Sequence, residues 1–347
     1  MAARRATITV LGDGGWGTTL ALHLHRQGHQ VVWWGAFPAY ARRLDRRREN
    51  VKFLPGIRIP RAIRITSDLA DATAFAHLIV LAIPSQYLRS VARQLTDCPA
   101  YRQAGRGGRR NAGASAPMFV SVAKGIEQGT LKRMSQIITE ELGGVPLAVL
   151  SGPNIASEIA RGHPASSVVA SSDRALAAHI QARFMSERLR IYTSSDVIGV
   201  ELGGAIKNPI AIAAGIGDGL GFGANAKAAL ITRGVVEMAR LGAAMGAKAE
   251  TFWGLSGLGD LVTTCLSGRN HRLGEQLGRG RSLNKMLAAT AMVIEGVETA
   301  KAAVALGRRC GVELPIIEQV QAILFRGRAP RRALEALMQR TGKSEIP

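Results

Sequence analysis

Short apolar runs recur through the first 195 residues: "ATITVL" from Ala6, "VVWW" from Val31, "HLIVLAI" from His77, "PMFVSVA" from Pro117, "PLAVLS" from Pro146 and "SSVVAS" from Ser166. Runs of this length predict buried strands, the pattern of a parallel sheet covered on both faces. Between them, "SQYLRSVARQL" and "LKRMSQIITEEL" repeat apolar residues at helical spacing. Beyond about residue 195 the strand signals fade. There "DVIGVELGGAIKNPIAIAAG", "NAKAALITRGVVEMARLGAAMG", "ETAKAAVALGRRCG" and "PIIEQVQAILFRG" predict helices that stop at glycines.

The sharpest local signal is Gly12-x-Gly14-x-x-Gly17, set between a β-branched run and a helical pattern that ends at Gly28. Gly12 permits the tight turn, Gly14 admits a pyrophosphate against the backbone, and Gly17 lets helix and strand pack closely. The helix N-terminus adds unbonded N–H groups and a positive dipole end. This predicts a dinucleotide site, and with it an α/β fold: a Rossmann-type doubly wound parallel sheet over residues 1–195, then an all-helical domain over 196–347. Substrate is expected in the cleft between the two. Asp or Glu at the end of the second strand would hold the ribose hydroxyls of NAD. Here Trp34, Gly35, Ala36 and Phe37 follow, and the nearest arginines are Arg42 and Arg43. The cofactor preference therefore stays open, leaning to NADP or dual use. Ligands of such sheets lie at the carboxyl ends of strands, so Lys124, after "PMFVSVA", is expected beside the cofactor; an ordinary loop lysine is the alternative.

In the second half, "VIGVELGGAIKNPIAIAAGIG" (197–217) carries only two charges, Glu201 and Lys207. On a helix, Lys207 stacks over Gly203 and Gly204 with Ala211 a turn on, leaving a hollow that a ligand could enter. Burial would lower the lysine pKa toward neutral and ease proton transfer. The alternative is a lysine snorkelling to water. Pro209 is expected to kink this helix. Further on, "WGLSGLGDLVTTCLSGRNHRLGEQLGRG" gathers Asp260, Thr263, Thr264, Arg269, Asn270 and Arg272. Arginine with asparagine after a glycine suits a phosphate, although composition alone also allows any polar loop.

Composition adds limits. The 347 residues are 47% hydrophobic and 20% charged, ordinary for a globular chain of two domains. No uninterrupted apolar run of about 18 residues occurs, so no transmembrane helix is expected. The start lacks the apolar segment of a secretory signal, which points to the cytoplasm. Cys98, Cys265 and Cys310 match no zinc or CxxC spacing and read as reduced thiols. The histidines, His23 and His25 included, form no ligand cluster, so no metal is expected. The net charge is +20, with arginines crowding "RRLDRRRENVK" and "YRQAGRGGRR". Aromatics are only 5%, and no nucleic-acid-binding motif accompanies the charge. A solvated basic surface is favoured over specific nucleic-acid binding. The stretch 98–117 reads as a surface loop.

Taken together, "GDGGWGTTLA", "SVAKGIE", "LSGPNIASEIA", "IGVELGGAIKN", "GLSGLGDLVTTC", "GRNHRLG" and "VIEGVETA" resemble the NAD(P)-dependent glycerol-3-phosphate dehydrogenase family from Thr7 to about Arg332. The resemblance implies reduction of dihydroxyacetone phosphate to sn-glycerol 3-phosphate with NAD(P)H, for glycerophospholipid synthesis, by a homodimer. It implies that Lys207 is the proton-transfer group, that Lys124 touches cofactor and substrate, and that Asp260 lies near Lys207 and the substrate hydroxyls. Arg269 and Asn270 would hold the substrate phosphate, with Arg269 also reaching the cofactor. Gly15, Trp16, Ala156, Val293 and Glu295 fall at cofactor positions, beside Gly12, Gly14 and Gly17. Gly152, Asn154 and Gly268 fall at substrate positions. Departures accompany it. Gly268 stands where serine is common, Asn154 replaces serine or threonine, Ala36 and Phe37 replace His or Arg and its neighbour, and Pro209 replaces an aliphatic residue. The alternatives are another Rossmann-plus-helical hydroxy-acid dehydrogenase, and a basic binding protein that works through its arginine surface.

Overall fold

The computed structural model describes residues 5–98, 101, 117–290, 292–342 and 344–345. The loop expected at 98–117 lies, apart from Cys98, Tyr101 and Pro117, outside the described residues. The chain divides into two compact units, Met1–Glu201 and Leu202–Pro347.

Strands of the first unit are β1 (Thr7–Leu11), β2 (Gln30–Trp34), β3 (Glu49–Asn50), β4 (Leu54–Arg58), β5 (Arg64–Thr66), β6 (Leu78–Leu81), β7 (Met118–Ser121), β8 (Leu147–Ser151), β9 (Ala165–Ala170) and β10 (Leu189–Ser194). Eight form one sheet in the order β10-β9-β8-β7-β6-β1-β2-β5, and β3-β4 form a separate pair. Its helices are α1 (Gly15–Arg26), α2 (Pro38–Arg47), α3 (Leu69–Thr73), α4 (Ser85–Asp97), α5 (Met134–Leu142), α6 (Ala156–Ala160) and α7 (Arg174–Phe184). The apolar runs sit at the centre of the sheet because both faces are covered. Ile8, Val10, Trp33, Val80 and Val120 belong to one buried cluster, while Leu11, Ile79, Leu81 and Phe119 belong to another. Alternation along each strand explains the split.

One pairing departs from the expected parallel sheet: β9 runs antiparallel to β8, and β10 is parallel to β9. The connection after β8 contains only the five-residue α6. The polar strand β10, "LRIYTS", is not evident in the apolar pattern; neither are β3, β4 and β5.

Helix α8 (Val197–Gly219) begins in the first unit, and the boundary between the units falls within it. Near its start, Glu201 accepts hydrogen bonds from Ser135 N and Ser135 Oγ, both at 2.7 Å, and pairs with Arg133. By length and composition α8 could cross a bilayer, but 83% of its apolar window is buried within the protein. Pro209, where a kink is expected, lies inside the helix, which continues to Gly219.

The second unit continues with α9 (Ala224–Ala244), a 3-10 turn (Ala249–Trp253), a π turn (Leu255–Gly259), α10 (Asp260–Leu266), α11 (Arg269–Gly278), α12 (Leu283–Ala288), α13 (Glu295–Arg309), α14 (Pro315–Arg326) and α15 (Pro330–Met338). Ile212 and Ile216 of α8 pack with Leu273 and Leu277 of α11, Val297 and Ala300 of α13, and Val320 and Leu324 of α14. Helices α8 and α11 approach backbone to backbone. A Cβ on Gly215 would stand 2.0 Å from His271 O, and one on Gly274 2.0 Å from Ile212 O; Gly219 and Gly278 are equally closed. Glu237 of α9 is buried and accepts from Ile316 N at 2.7 Å and Ile317 N at 3.4 Å, capping α14, whose own cap residue Leu314 has no side-chain acceptor.

Two stability predictions follow from this packing. Gly274→Ala forces a side chain into the α8–α11 contact and should lower unfolding stability by about 1–3 kcal/mol in a denaturant titration. An unchanged midpoint would refute the seam. For Glu237, burial pushes the carboxyl up to about 7 against the two capping N–H groups. The folded protein keeps that proton to about pH 7, whereas the unfolded chain releases it near 4.5. Stability should therefore fall as pH rises through that window, by an amount on the order of 3 kcal/mol. Glu237→Gln should remove this contribution, read as a flatter dependence of stability on pH.

Candidate active site

In the first unit the glycine loop joins β1 to α1. A Cβ on Gly12 would lie 2.2 Å from Ala82 O and one on Gly17 2.1 Å from Gly12 O, whereas a Cβ on Gly14 meets nothing within 4 Å. Gly12 and Gly17 thus close the strand–helix junction, and Gly14 keeps its outer side open. Gly14 caps α1 without a side-chain acceptor, and the first turn holds no acidic residue. The N–H groups there suit phosphate oxygens. Trp16 Nε1 and Asp13 Oδ2 are buried without hydrogen-bond partners, so the loop retains donors and an acceptor that a nucleotide could satisfy. These features fit a dinucleotide. Ala156 lies against this loop: its Cβ is 3.7 Å from a Cβ built on Gly15, and its carbonyl accepts from Thr19 Oγ1 at 3.0 Å.

The loops after β7 and β8 meet. Lys124 Nζ donates to Gly152 O at 2.9 Å. Asn154 Oδ1 accepts from Ser167 Oγ at 2.6 Å, and Asn154 Nδ2 is buried without a partner. Lys124, Gly152 and Asn154 therefore form one polar group.

In the second unit Lys207 does not snorkel. It is 6% exposed, and its Nζ donates to Asp260 Oδ1 at 2.5 Å and to Thr264 Oγ1 at 2.6 Å. Asp260 is 2% exposed. Two opposite charges with a hydroxyl offset the desolvation that either charge would suffer alone. The hollow expected over the glycines is partly filled, because a Cβ on Gly203 would stand 2.6 Å from Ser256 O. That glycine admits the π turn that delivers Asp260. Beside the pair, burial pushes the Cys265 thiol up to about 12, with Lys207 pulling it down; this cysteine is no nucleophile.

Asn270, buried on α11, donates from Nδ2 to Asn208 Oδ1 at 2.9 Å and accepts from Gly296 N at 3.0 Å. Asn208 Nδ2 is buried without a partner. Arg269, exposed at the first turn of α11, donates to Val293 O at 3.0 Å, and Glu295 opens α13 close by in sequence. Gly268 caps α11 with φ +107°, a region that favours glycine, so a serine there would be strained. Sequence reasoning missed Asn208; its signal was an amide next to the lysine in an otherwise apolar helix. Thr264 stood among polar residues with nothing in the pattern to distinguish it from Thr263. A half-open, largely apolar pocket of this unit, lined by Ile216, Leu230, Val320 and Leu337 among others, includes none of these groups.

Comparison with known proteins gives two family models and several relatives that match the chain. The family model for the N-terminus of NAD-dependent glycerol-3-phosphate dehydrogenase matches residues 7–177, and that for its C-terminus matches 196–335. The glycerol-3-phosphate dehydrogenase [NAD(P)+] of Fusobacterium nucleatum is 44% identical over 98% of both chains. That of Geobacillus thermodenitrificans is 46% identical over 98% of this chain and 96% of its own. A crystal structure of glycerol-3-phosphate dehydrogenase from Coxiella burnetii superposes with a TM-score of 0.89 at 35% identity, covering 97% of this chain and 99% of that one.

Asp260→Ala leaves the Lys207 ammonium buried without its carboxylate and should destabilise the protein by about 3–5 kcal/mol. Lys207→Met with Asp260→Leu should recover most of that loss in the same denaturation experiment. Equal stability of the single variant and wild type would contradict the buried pair.

Proposed function

The chain belongs to the NAD-dependent glycerol-3-phosphate dehydrogenase family, and we propose how its residues divide the work of reducing dihydroxyacetone phosphate to sn-glycerol 3-phosphate, the backbone of glycerophospholipids. The observation that carries the reading is the buried set Lys207, Asp260 and Thr264. A carbonyl oxygen that becomes an alcohol must receive a proton, and Lys207 is the group proposed to deliver it, oriented by its two partners. In the oxidative direction the same nitrogen takes the proton back.

Arg269, exposed at the start of α11, is proposed to hold the substrate phosphate together with the uncapped N–H groups of that helix. Asn270 contributes by fixing Asn208, and Asn208 offers its amide to the substrate. Lys124, Gly152 and Asn154 are assigned to substrate from the first unit, and Lys124 also to the cofactor. Gly12, Gly14, Gly15, Trp16, Gly17 and Ala156 would hold the dinucleotide, with Arg269, Val293 and Glu295 contributing. The reduced nicotinamide, when bound, supplies a hydride to the ketone carbon. The cationic groups Lys207, Lys124 and Arg269 offset negative charge as it develops on oxygen.

NAD(P)H is the cofactor of the family. The sequence at the end of β2, which lacks a carboxylate, supports a lean to NADPH or dual use. A homodimer working in the cytoplasm is proposed from the sequence resemblance and the lack of a secretory signal pattern.

Initial rates with dihydroxyacetone phosphate and either reduced nicotinamide cofactor test the assignment. Lys207→Ala should lose about 10²–10⁴-fold in turnover. Arg269→Ala should raise KM for dihydroxyacetone phosphate by a larger factor than it raises KM for unphosphorylated dihydroxyacetone, which shares the cofactor contact but lacks the phosphate. Wild-type rates in Lys207→Ala would remove the lysine from the chemistry.

A further inference from the structure

Cofactor choice in this sheet is decided where β2 ends, because the adenosine ribose lies beyond that strand. The strand itself supplies no acid there. The structure nevertheless brings one to the spot from the neighbouring loop. Gly12 N donates to Trp34 O at 3.0 Å, and Trp33 Nε1 donates to Gly12 O at 2.8 Å, which clamps the start of the glycine loop to the end of β2. Asn50 Nδ2 donates to Asp13 O at 2.9 Å and fixes the next residue. The Asp13 side chain then lies across Gly35: a Cβ on that glycine would stand 2.6 Å from Asp13 Oδ2 and 3.2 Å from its Cγ. A side chain at position 35 and the carboxylate at position 13 exclude each other.

We propose that Asp13 is the specificity-determining residue for the cofactor, its carboxylate accepting hydrogen bonds from the adenosine ribose hydroxyls of NADH and repelling the 2′-phosphate of NADPH. Three observations converge on it. Oδ2 is buried and accepts no hydrogen bond from the protein, a costly state that hydroxyl donors would relieve. The place is that of the acid in NAD-selective sheets, reached from the loop in place of the strand. Gly35 is the small residue that makes room. Burial raises the Asp13 carboxyl above the usual range while Lys52 pulls it down. Lys52 and Arg43 stand over the Tyr40 ring, and Tyr40 donates to Asn50 Oδ1 at 2.6 Å. Lys52 is thus near enough to moderate the selection, and it does not take Oδ2 as a partner.

The inference rests on the dehydrogenase reading above and replaces the lean drawn from β2 alone. The test is direct binding of NADH and NADPH to the protein without substrate, by calorimetry, for wild type and Asp13→Asn. Wild type should bind NADH more tightly by at least about tenfold, the ratio set by one charge-assisted hydrogen bond of about 1.4 kcal/mol. Asp13→Asn, nearly isosteric, should bring the two affinities to within about threefold, mainly by admitting NADPH. A wild type that binds NADPH as tightly as NADH overturns the proposal, and that measurement needs no variant to fold. So does a ratio that Asp13→Asn leaves unchanged while both dinucleotides bind. If neither binds to wild type, the dehydrogenase reading falls as well.

Discussion

The contact on which the second unit depends is the meeting of two helix backbones. Helices α8 and α11 touch at Gly215, Gly219, Gly274 and Gly278, where carbonyl oxygens occupy the space of absent side chains. At such separation the helices have almost no freedom to slide, since any shift drives an oxygen into a Cα. Asn208, one helical stretch before the seam, is thereby held against Asn270, and the amide pair continues into Gly296 at the start of α13. Gly296 is closed in its turn by Asn270 Oδ1 and Asn208 O. The rigidity of the polar site is inherited from an apolar, nearly featureless surface.

The same logic governs the charges buried in α8. A long apolar helix carries Glu201 and Lys207, each satisfied by groups from another segment: Ser135 and Arg133 for the glutamate, Asp260 and Thr264 for the lysine. Buried ions are tolerated where their partners are fixed before the charge is desolvated. Gly203 makes one of those partners possible, because the turn that brings Asp260 passes directly over it.

What the sequence revealed and what it concealed divide along a physical line. The glycine loop, the strand runs and the helices of the second half depend on neighbours a few residues away, and they are legible. Lys207 stood out because charge is rare in its surroundings. Features set by distant partners were hidden. The reversal of β9 is a matter of which strand it pairs with and in which direction, and the role of Gly203 depends on a turn more than fifty positions on. Asp13 stands between two glycines with no reading attached to it, and only the folded position of Gly35 shows that its side chain reaches the end of another strand. Continuation of α8 through Pro209 likewise reflects burial that outweighs a local preference.

The reversed strand has a consequence for the outline of the sheet. Running backwards, β9 offers its first residues to the edge where β1, β7 and β8 end: Ser167 meets Asn154 there, and Gly152 lies against its backbone. Its own exit, at Ser171 and the exposed Ser172, emerges at the opposite rim, just before Asp173 caps α7. Ser172 is accordingly a natural grafting point, where an epitope or a fluorescent tether would sit a full strand's length from the glycine loop.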